Sequence, residues 1–208
     1  MPPALCPDKR ALLTSFVNGN VSRETEEKLA HYANLLEKWQ QSVNLVSGPT
    51  IAELWTRHFI DSAQIIPLLT GPAPLRILDI GSGAGFPGLI LSLLTSHEVH
   101  LVESDAKKCA FMRRVIGETG ATASVHTARI EHLSFMKADV ITARALAPLH
   151  KLLQLTETQH HNHLTCIFLK GRSAQAEIAA LTGWSHLKIA NHGSVTDPDA
   201  SILSLSGF

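Results

Sequence analysis

Residues 75–88, LRILDIGSGAGFPG, bring Asp79 and four glycines, Gly81, Gly83, Gly85 and Gly88, into one short stretch after an apolar run. Closely spaced glycines permit left-handed backbone and let peptide groups approach a ligand, and Pro87 suits the first turn of a following helix. Two chemistries fit such a loop. Gly83 to Gly88 reads G-x-G-x-x-G, the spacing of a dinucleotide cradle in which a helix amino end meets a pyrophosphate. Asp79 argues against that reading, because an anion at the strand end repels a pyrophosphate and attracts a cation. A tight turn with no ligand is the third alternative. Glu103, in VHLVES, stands at the end of the next apolar run and suits the two hydroxyls of a ribose, whichever nucleotide the loop serves.

The spacing D-x-G-x-G-x-G is also the pattern of methyltransferases that use S-adenosylmethionine, whose methionine end carries a charged amine beside a sulfonium. Asp79 would meet that amine directly or through water. In TARIEHL, Ile130 is placed to lie on the adenine and Glu131, or its neighbouring backbone, to meet the exocyclic amine; Glu131 equally suits a solvated first turn. Arg144, in ITARALAP, ends the fourth strand, which in this architecture faces the transferred methyl group. A structural ion pair is its alternative role.

The elements that position these residues follow from periodicity. From Ser22, an acidic first turn leads into Leu29, Tyr32, Leu35, Leu36, Trp39 and Val43, an amphipathic helix. Thr50-Ile51-Ala52-Glu53 reads as a capping box for a second helix with Ile51, Leu54, Trp55, Phe59, Ala63 and Ile66 towards the core. After TGPAP, short apolar runs at 75–80, 99–102, 121–126, 139–142 and 166–169 alternate with helical stretches near 87–94, 106–118, 149–158 and 174–181. Strands alternating with helices predict a parallel sheet covered on both faces. HLKIAN and SILSLSGF predict a closing hairpin at one sheet edge, for seven strands in all. The expected organisation is α/β, with a helical extension over residues 1–74 and a Rossmann-like domain over 75–208.

Composition narrows the setting. The 208 residues are 45% hydrophobic, and 18 basic side chains balance 18 acidic ones, so any basic patch is local and a monomer is the default expectation. Three well-separated cysteines suit a reducing, cytosolic compartment. MPPALCPDKR has prolines where a signal peptide needs an apolar run, and GLILSLL is too short to span a bilayer, so no membrane partner is expected. The HHNH run, His160 to His163, lacks metal-ligand spacing on a defined element, and no metal site is expected.

The motifs NLLEKWQQSVNLVS, RHFIDS, ILDIGSGAGFPGL, ARALAPL and LKG, in that order over roughly residues 30–172, resemble the glucose-inhibited division protein B family of bacterial ribosomal RNA methyltransferases. The resemblance implies a class I methyltransferase fold, S-adenosyl-L-methionine as cofactor, and methyl transfer to N7 of a guanine in 16S ribosomal RNA or a small-subunit precursor. It also implies cofactor contacts at Gly81, Phe86, Ile130, Glu131 and Arg144. The chain departs from the family in having Ala143 where serine is common and in ending DPDASILSLSGF without a basic residue.

Guanine N7 presents its lone pair in the neutral base, so this chemistry asks for positioning rather than a general base. Arginine usually grips guanine O6 and N7 together, which would block that lone pair. Arg144 is therefore expected to order the site through cofactor, phosphate or O6 contacts. For RNA phosphates, Lys107, Lys108, Arg113 and Arg114 share one helix, with Lys107 and Arg114 on one face. Arg129, Lys170 and Arg172 lie near strand ends. A solvated face is the plainer reading of any one of these. Arg57 and His58 either touch RNA or tie the first helices to the sheet. A small-molecule methyltransferase and a non-catalytic nucleotide-binding module are the competing functions.

Overall fold

The computed structural model describes residues 5–17 and 19–208; the expectation drawn from Met1 to Ala4 lies outside the described residues. Among these residues, seven strands form one sheet: β1 (Arg76–Ile80), β2 (Glu98–Glu103), β3 (Ala123–Thr127), β4 (Val140–Arg144), β5 (Thr165–Lys170), β6 (Lys188–Gly193) and β7 (Ser201–Ser206). Their order is β3-β2-β1-β4-β5-β7-β6. The first five run parallel and the C-terminal pair is antiparallel, as the two closing apolar runs predict. β7 inserts beside β5 and leaves β6 at the edge. The strand order reverses between β1 and β4, so a crevice opens beyond their carboxyl ends.

Among the described residues, seven α-helical segments accompany the sheet: α1 (Pro7–Phe16), α2 (Arg23–Gln40), α3 (Asp61–Ala63), α4 (Gly88–Leu94), α5 (Ala106–Thr119), α6 (Leu149–Thr156) and α7 (Ala174–Ala179). Side-chain caps start the two longest: Ser22 accepts from Thr25 N at 3.1 Å, and Asp105 accepts from Lys107 N at 2.8 Å. Gly120, at φ +67°, ends α5 in the left-handed conformation. Both faces of the sheet are covered. Leu29, Tyr32, Trp55, Phe59 and Phe111 bury one face against Ile77 and Leu101. Leu149, Leu152 and Leu153 bury the other against Leu78, Ile141 and Phe168. The first cluster contains residues from either side of the expected boundary at residue 74.

The helical lead-in opens with a helix that periodicity does not mark, and its expected second helix needs correction. Helix α1 has no strong sequence signature: its Cys6 cap makes no side-chain bond and Leu13 alone is buried within it. The second helix is not a regular helix begun by a capping box. Its chain makes a 3₁₀ turn at Gly48–Ile51, a π-helical turn at Trp55–Ile60, and then α3. Thr50 does not cap, because its hydroxyl is engaged by Ser47 O at 2.6 Å and His58 Nε2 at 2.7 Å.

The π turn has a local consequence. Asp61 N–H bonds the carbonyls of Thr56 and His58, passing over that of Arg57, the acceptor an α-helix would use. No helix among the described residues is long and apolar enough to cross a membrane.

Candidate active site

The carboxyl ends of β1, β2, β4 and β5 deliver Gly81, Glu103, Arg144 and Lys170 to one side of the sheet. Beyond them lie two adjoining chambers. The smaller, about 330 Å³, is lined by Gly81, Gly83, Glu103, Arg129, Ile130 and Glu131. The larger, about 460 Å³, is lined on its far side by Arg57, His58, Asp61, Lys170 and Asp197. Gly81, Gly83, Lys108, Arg144 and Ala145 border both. Each falls in the size range of small-molecule sites.

The glycine loop is held from three directions. Gly81 N and Ser82 N donate to Val102 O at 2.8 and 3.2 Å, and Gly83 N donates to Glu103 Oε2 at 3.0 Å. From α2, the buried Tyr32 hydroxyl donates to Ala84 O. Gly81, Gly83 and Gly85 adopt φ of +64°, +58° and +95°, which glycine alone accepts without strain. Space is short at Gly81, where an added Cβ would lie 2.6 Å from Leu146, and open at Gly83, whose nearest neighbour would be Gly81 O at 3.8 Å. Leu146 is aimed there from a loop in which Ala145 has φ +51°.

Glu103 spends one lone pair on each of two backbone donors, Gly83 N and Asp105 N at 2.8 Å. A carboxylate has about four such sites, so acceptor capacity remains toward the small chamber. Ile130 is buried in its wall and Glu131 is exposed at its border. Phe86 borders the large chamber, inside a stack with Tyr32 and His58, ring centroids at 5.4 and 5.1 Å.

Asp79 is placed differently from the expectation of direct or water-bridged contact with a ligand's amine. It is fully buried, lines neither chamber, and accepts from Thr142 Oγ1 at 2.9 Å and Gly88 N at 3.2 Å. Its carboxyl ties the start of α4 to β4. Burial raises its pKa from 3.8 to about 6, against the opposing bonds from Thr142 and Gly88 N. The native carboxyl therefore holds its proton more tightly than the unfolded chain does. Its contribution to stability is greatest below about pH 4 and is lost as pH rises through about 6. The stability of Asp79→Asn minus that of the unsubstituted protein is expected to rise by about 2.4 kcal/mol from pH 4 to 7. Urea unfolding at unit pH steps measures it, and a difference independent of pH would refute the assignment.

Arg144 is the most heavily partnered cation of the site. Its Nη1 donates to Arg57 O at 3.0 Å, the carbonyl left free by the π turn, and to Asp61 Oδ2 at 3.3 Å; Nη2 bonds His58 Nδ1 at 2.8 Å. The guanidinium lies over the Phe86 ring, 4.9 Å from its centroid. Burial, then the charges of Arg144 and Arg57, lower the pKa of His58 to about 3, so its ring is neutral at physiological pH.

On the same helical segment, Arg57, Asp61 and Gln64 stand at i, i+4 and i+7 and hold the β6–β7 loop. Arg57 pairs with Asp197 at 2.9 Å, Asp61 Oδ1 accepts from Thr196 Oγ1 at 2.7 Å, and Gln64 Oε1 accepts from Val195 N at 2.8 Å. RHFIDS is thus a tie between the helical lead-in and the sheet, and Arg57 and His58 are both part of it.

The other basic candidates separate. Arg129 and Lys108 border the chambers. Lys107 is exposed on α5 and borders neither. Arg114 pairs with Glu118, which also meets His31, and Arg113 bonds Val125 O and Thr127. Lys170 is nearly buried, donating to Ala147 O and pairing with Glu177, each at 2.8 Å. Arg172 is exposed. His160 bonds Thr156 at 2.9 Å and His161 bonds Ala138 O at 2.9 Å, local structural uses for the HHNH run.

Asp61, which lies within RHFIDS but has no role of its own in the sequence reading, and Tyr32, which reads only as a core position, are the site residues that sequence reasoning missed. Tyr32 is the single tyrosine of the chain, on an otherwise apolar stripe. That polar tip in an apolar pattern is the signal that it reaches a buried acceptor.

The fold has known counterparts. A variant of MtNAS crystallised in complex with S-adenosylmethionine superposes with a TM-score of 0.59 at 17% identity, covering 88% of this chain and 75% of that one. A SAM-dependent methyltransferase from Aquifex aeolicus does so with a TM-score of 0.59 at 11% identity, covering 83% and 96%. At these identities the likeness is one of fold.

Sequence relatives are nearer. Ribosomal RNA small subunit methyltransferase G of Paramagnetospirillum magneticum is 46% identical over 190 residues, 91% of this chain and 92% of its own. The protein of the same name from Granulibacter bethesdensis is 43% identical over 201 residues, 96% and 92%. The model of the family described as rRNA small subunit methyltransferase G matches residues 25–198. With that match over most of its length, the chain belongs to the rRNA small subunit methyltransferase G family.

Proposed function

We propose that this protein transfers the methyl group of S-adenosyl-L-methionine to N7 of a guanine in 16S ribosomal RNA, acting in the cytosol on that RNA or a small-subunit precursor. The observation that carries the reading is the pair of adjoining chambers that meet at Arg144, in a chain of this family. The smaller chamber fits the cofactor: the backbone is open at Gly83, Glu103 retains acceptor sites for ribose hydroxyls, and Ile130 offers an apolar wall for the base. When bound there, the sulfonium supplies an activated methyl group. The larger chamber suits the acceptor guanine, with Arg144 between the two.

Because N7 carries its lone pair in the neutral base, the chain's task is to orient and to exclude water rather than to remove a proton. A neutral, hydrogen-bonded His58 and an Arg144 already satisfied by three acceptors agree with a site that holds geometry. Arg129 and Lys108, at the borders of the chambers, are the cations best disposed to meet phosphates.

The test supplies purified protein with methyl-labelled cofactor and RNA from cells lacking the gene. Label is expected in 16S ribosomal RNA, at a position where borohydride and aniline cleave the chain as they do at N7-methylated guanine. Label confined to small metabolites, or RNA label resistant to that cleavage, would refute the proposal.

A further inference from the structure

We propose that His58 is a positioning residue for methyl transfer, acting through Arg144 by presenting an unprotonated ring nitrogen as its acceptor; this rests on the activity proposed above. The direction of each hydrogen bond is forced. A guanidinium has donors only, so at the 2.8 Å contact between Arg144 Nη2 and His58 Nδ1 the ring must accept. The ring proton then sits on Nε2 and is donated to Thr50 Oγ1 at 2.7 Å. Thr50 has one hydroxyl proton, and it goes to Ser47 O at 2.6 Å. The chain starts at a group that cannot accept and ends at a carbonyl that cannot donate, so only one tautomer of His58 satisfies it.

His58 is also the acceptor that sets the angle of the guanidinium plane. Arg57 O and Asp61 Oδ2 both bond Nη1, and His58 alone of the three bonds Nη2. A planar fork held at one nitrogen can pivot, whereas one held at both cannot. Below it, Phe86 stacks on the His58 ring at 23° between planes and faces the guanidinium. His58 therefore fixes both the in-plane orientation of Arg144 and the platform it rests on. Arg144 borders both chambers, so its orientation is felt where cofactor and acceptor meet.

Two substitutions separate the acceptor from the bulk of the ring. In His58→Asn the side-chain oxygen falls near the position of Nδ1 and still accepts from Arg144. In His58→Gln the terminal amide falls near Nε2, so the Thr50 contact is kept and the acceptor is lost. Both variants lose the ring stacked on Phe86 and are expected to melt at similar temperatures. His58→Asn is expected to keep kcat for 16S ribosomal RNA within about 5-fold of the unsubstituted protein, and His58→Gln to fall about 50-fold or more, with KM for the cofactor changed by less than about 3-fold in either. Nitrogen NMR of the Arg144 guanidinium should show slowed rotation in the unsubstituted protein and His58→Asn, and averaged resonances in His58→Gln.

Equal kcat in the two variants, or losses that track melting temperature, would overturn the role of His58 while leaving the activity standing. An unsubstituted protein that methylates no 16S ribosomal RNA would remove the activity itself, and with it the role in catalysis.

Discussion

Arg144→Ala is expected to lower kcat for methyl transfer into 16S ribosomal RNA by about 100- to 1,000-fold, the effect of removing one preorganised polar group from a reacting centre. The guanidinium borders both chambers and is fixed by Arg57 O, Asp61 Oδ2 and His58 Nδ1, so it meets reactants without reorganising. Because those acceptors already satisfy three of its N–H groups, its remaining donors are the ones available to a ligand.

The substitution also leaves three acceptors short of a donor, at a cost of roughly 1–3 kcal/mol. The fold should survive: Asp61 keeps Thr196 and Gln64 through Oδ1, and His58 keeps Thr50. Arg144→Lys retains the charge but not the planar fork and cannot serve acceptors on both sides. It should recover no more than about a tenth of the lost rate. Single-turnover kinetics at saturating cofactor, with cofactor affinity measured by calorimetry, separates the chemical step from binding. Unchanged turnover in a folded Arg144→Ala protein would show that the site does not work through this residue.

Gly85→Ala is expected to cost roughly 3–5 kcal/mol, combining left-handed strain with overpacking. At φ +95° an alanine is strained before any contact is considered, and its Cβ would lie 2.3 Å from Leu89 Cδ1 and 3.0 Å from the Tyr32 hydroxyl. Neither neighbour can retreat easily, since both are fully buried and Tyr32 bonds Ala84 O within the same loop. Moving Tyr32 releases the loop from α2, so cofactor affinity should fall along with the denaturation midpoint. Gly83→Ala is the control: its φ of +58° is strained, but its Cβ meets open space. An equal loss of stability in the two variants would show that backbone strain, rather than the contact with Leu89 and Tyr32, decides the outcome at Gly85.

The sheet was legible because its parallel strands are buried on both faces and read as short apolar runs between helices. Glu103 and Arg144 were legible for a related reason: in such a sheet the last residue of a strand faces the crevice, whatever its neighbours are. Asp79 shows the limit of that rule. Its place at a strand end was plain, but whether its carboxylate turned outward to a ligand or inward to Gly88 N and Thr142 depends on packing that spacing does not encode. The partners of Arg144 were hidden for a different reason. Asp61 and His58 lie over 80 positions away in the chain, and periodicity reports which face a residue occupies, not which distant polar group it meets. Within the helical lead-in, the capping box alone misled, on local grounds, since the hydroxyl of Thr50 serves His58 and Ser47 instead of a cap.

The π turn at Trp55–Ile60 separates what the chain needs to fold from what it needs to work. Relative to an α-helix, such a turn holds one surplus residue. A sequence lacking that residue would close an ordinary helix over the same stretch, and its apolar stripe would still reach the core. The Arg57 carbonyl would then be consumed within the helix, and Arg144 would lose an acceptor. Foldability and competence could therefore part company through a single codon, and a relative shortened there would be a stable protein of the same architecture with its central arginine adrift.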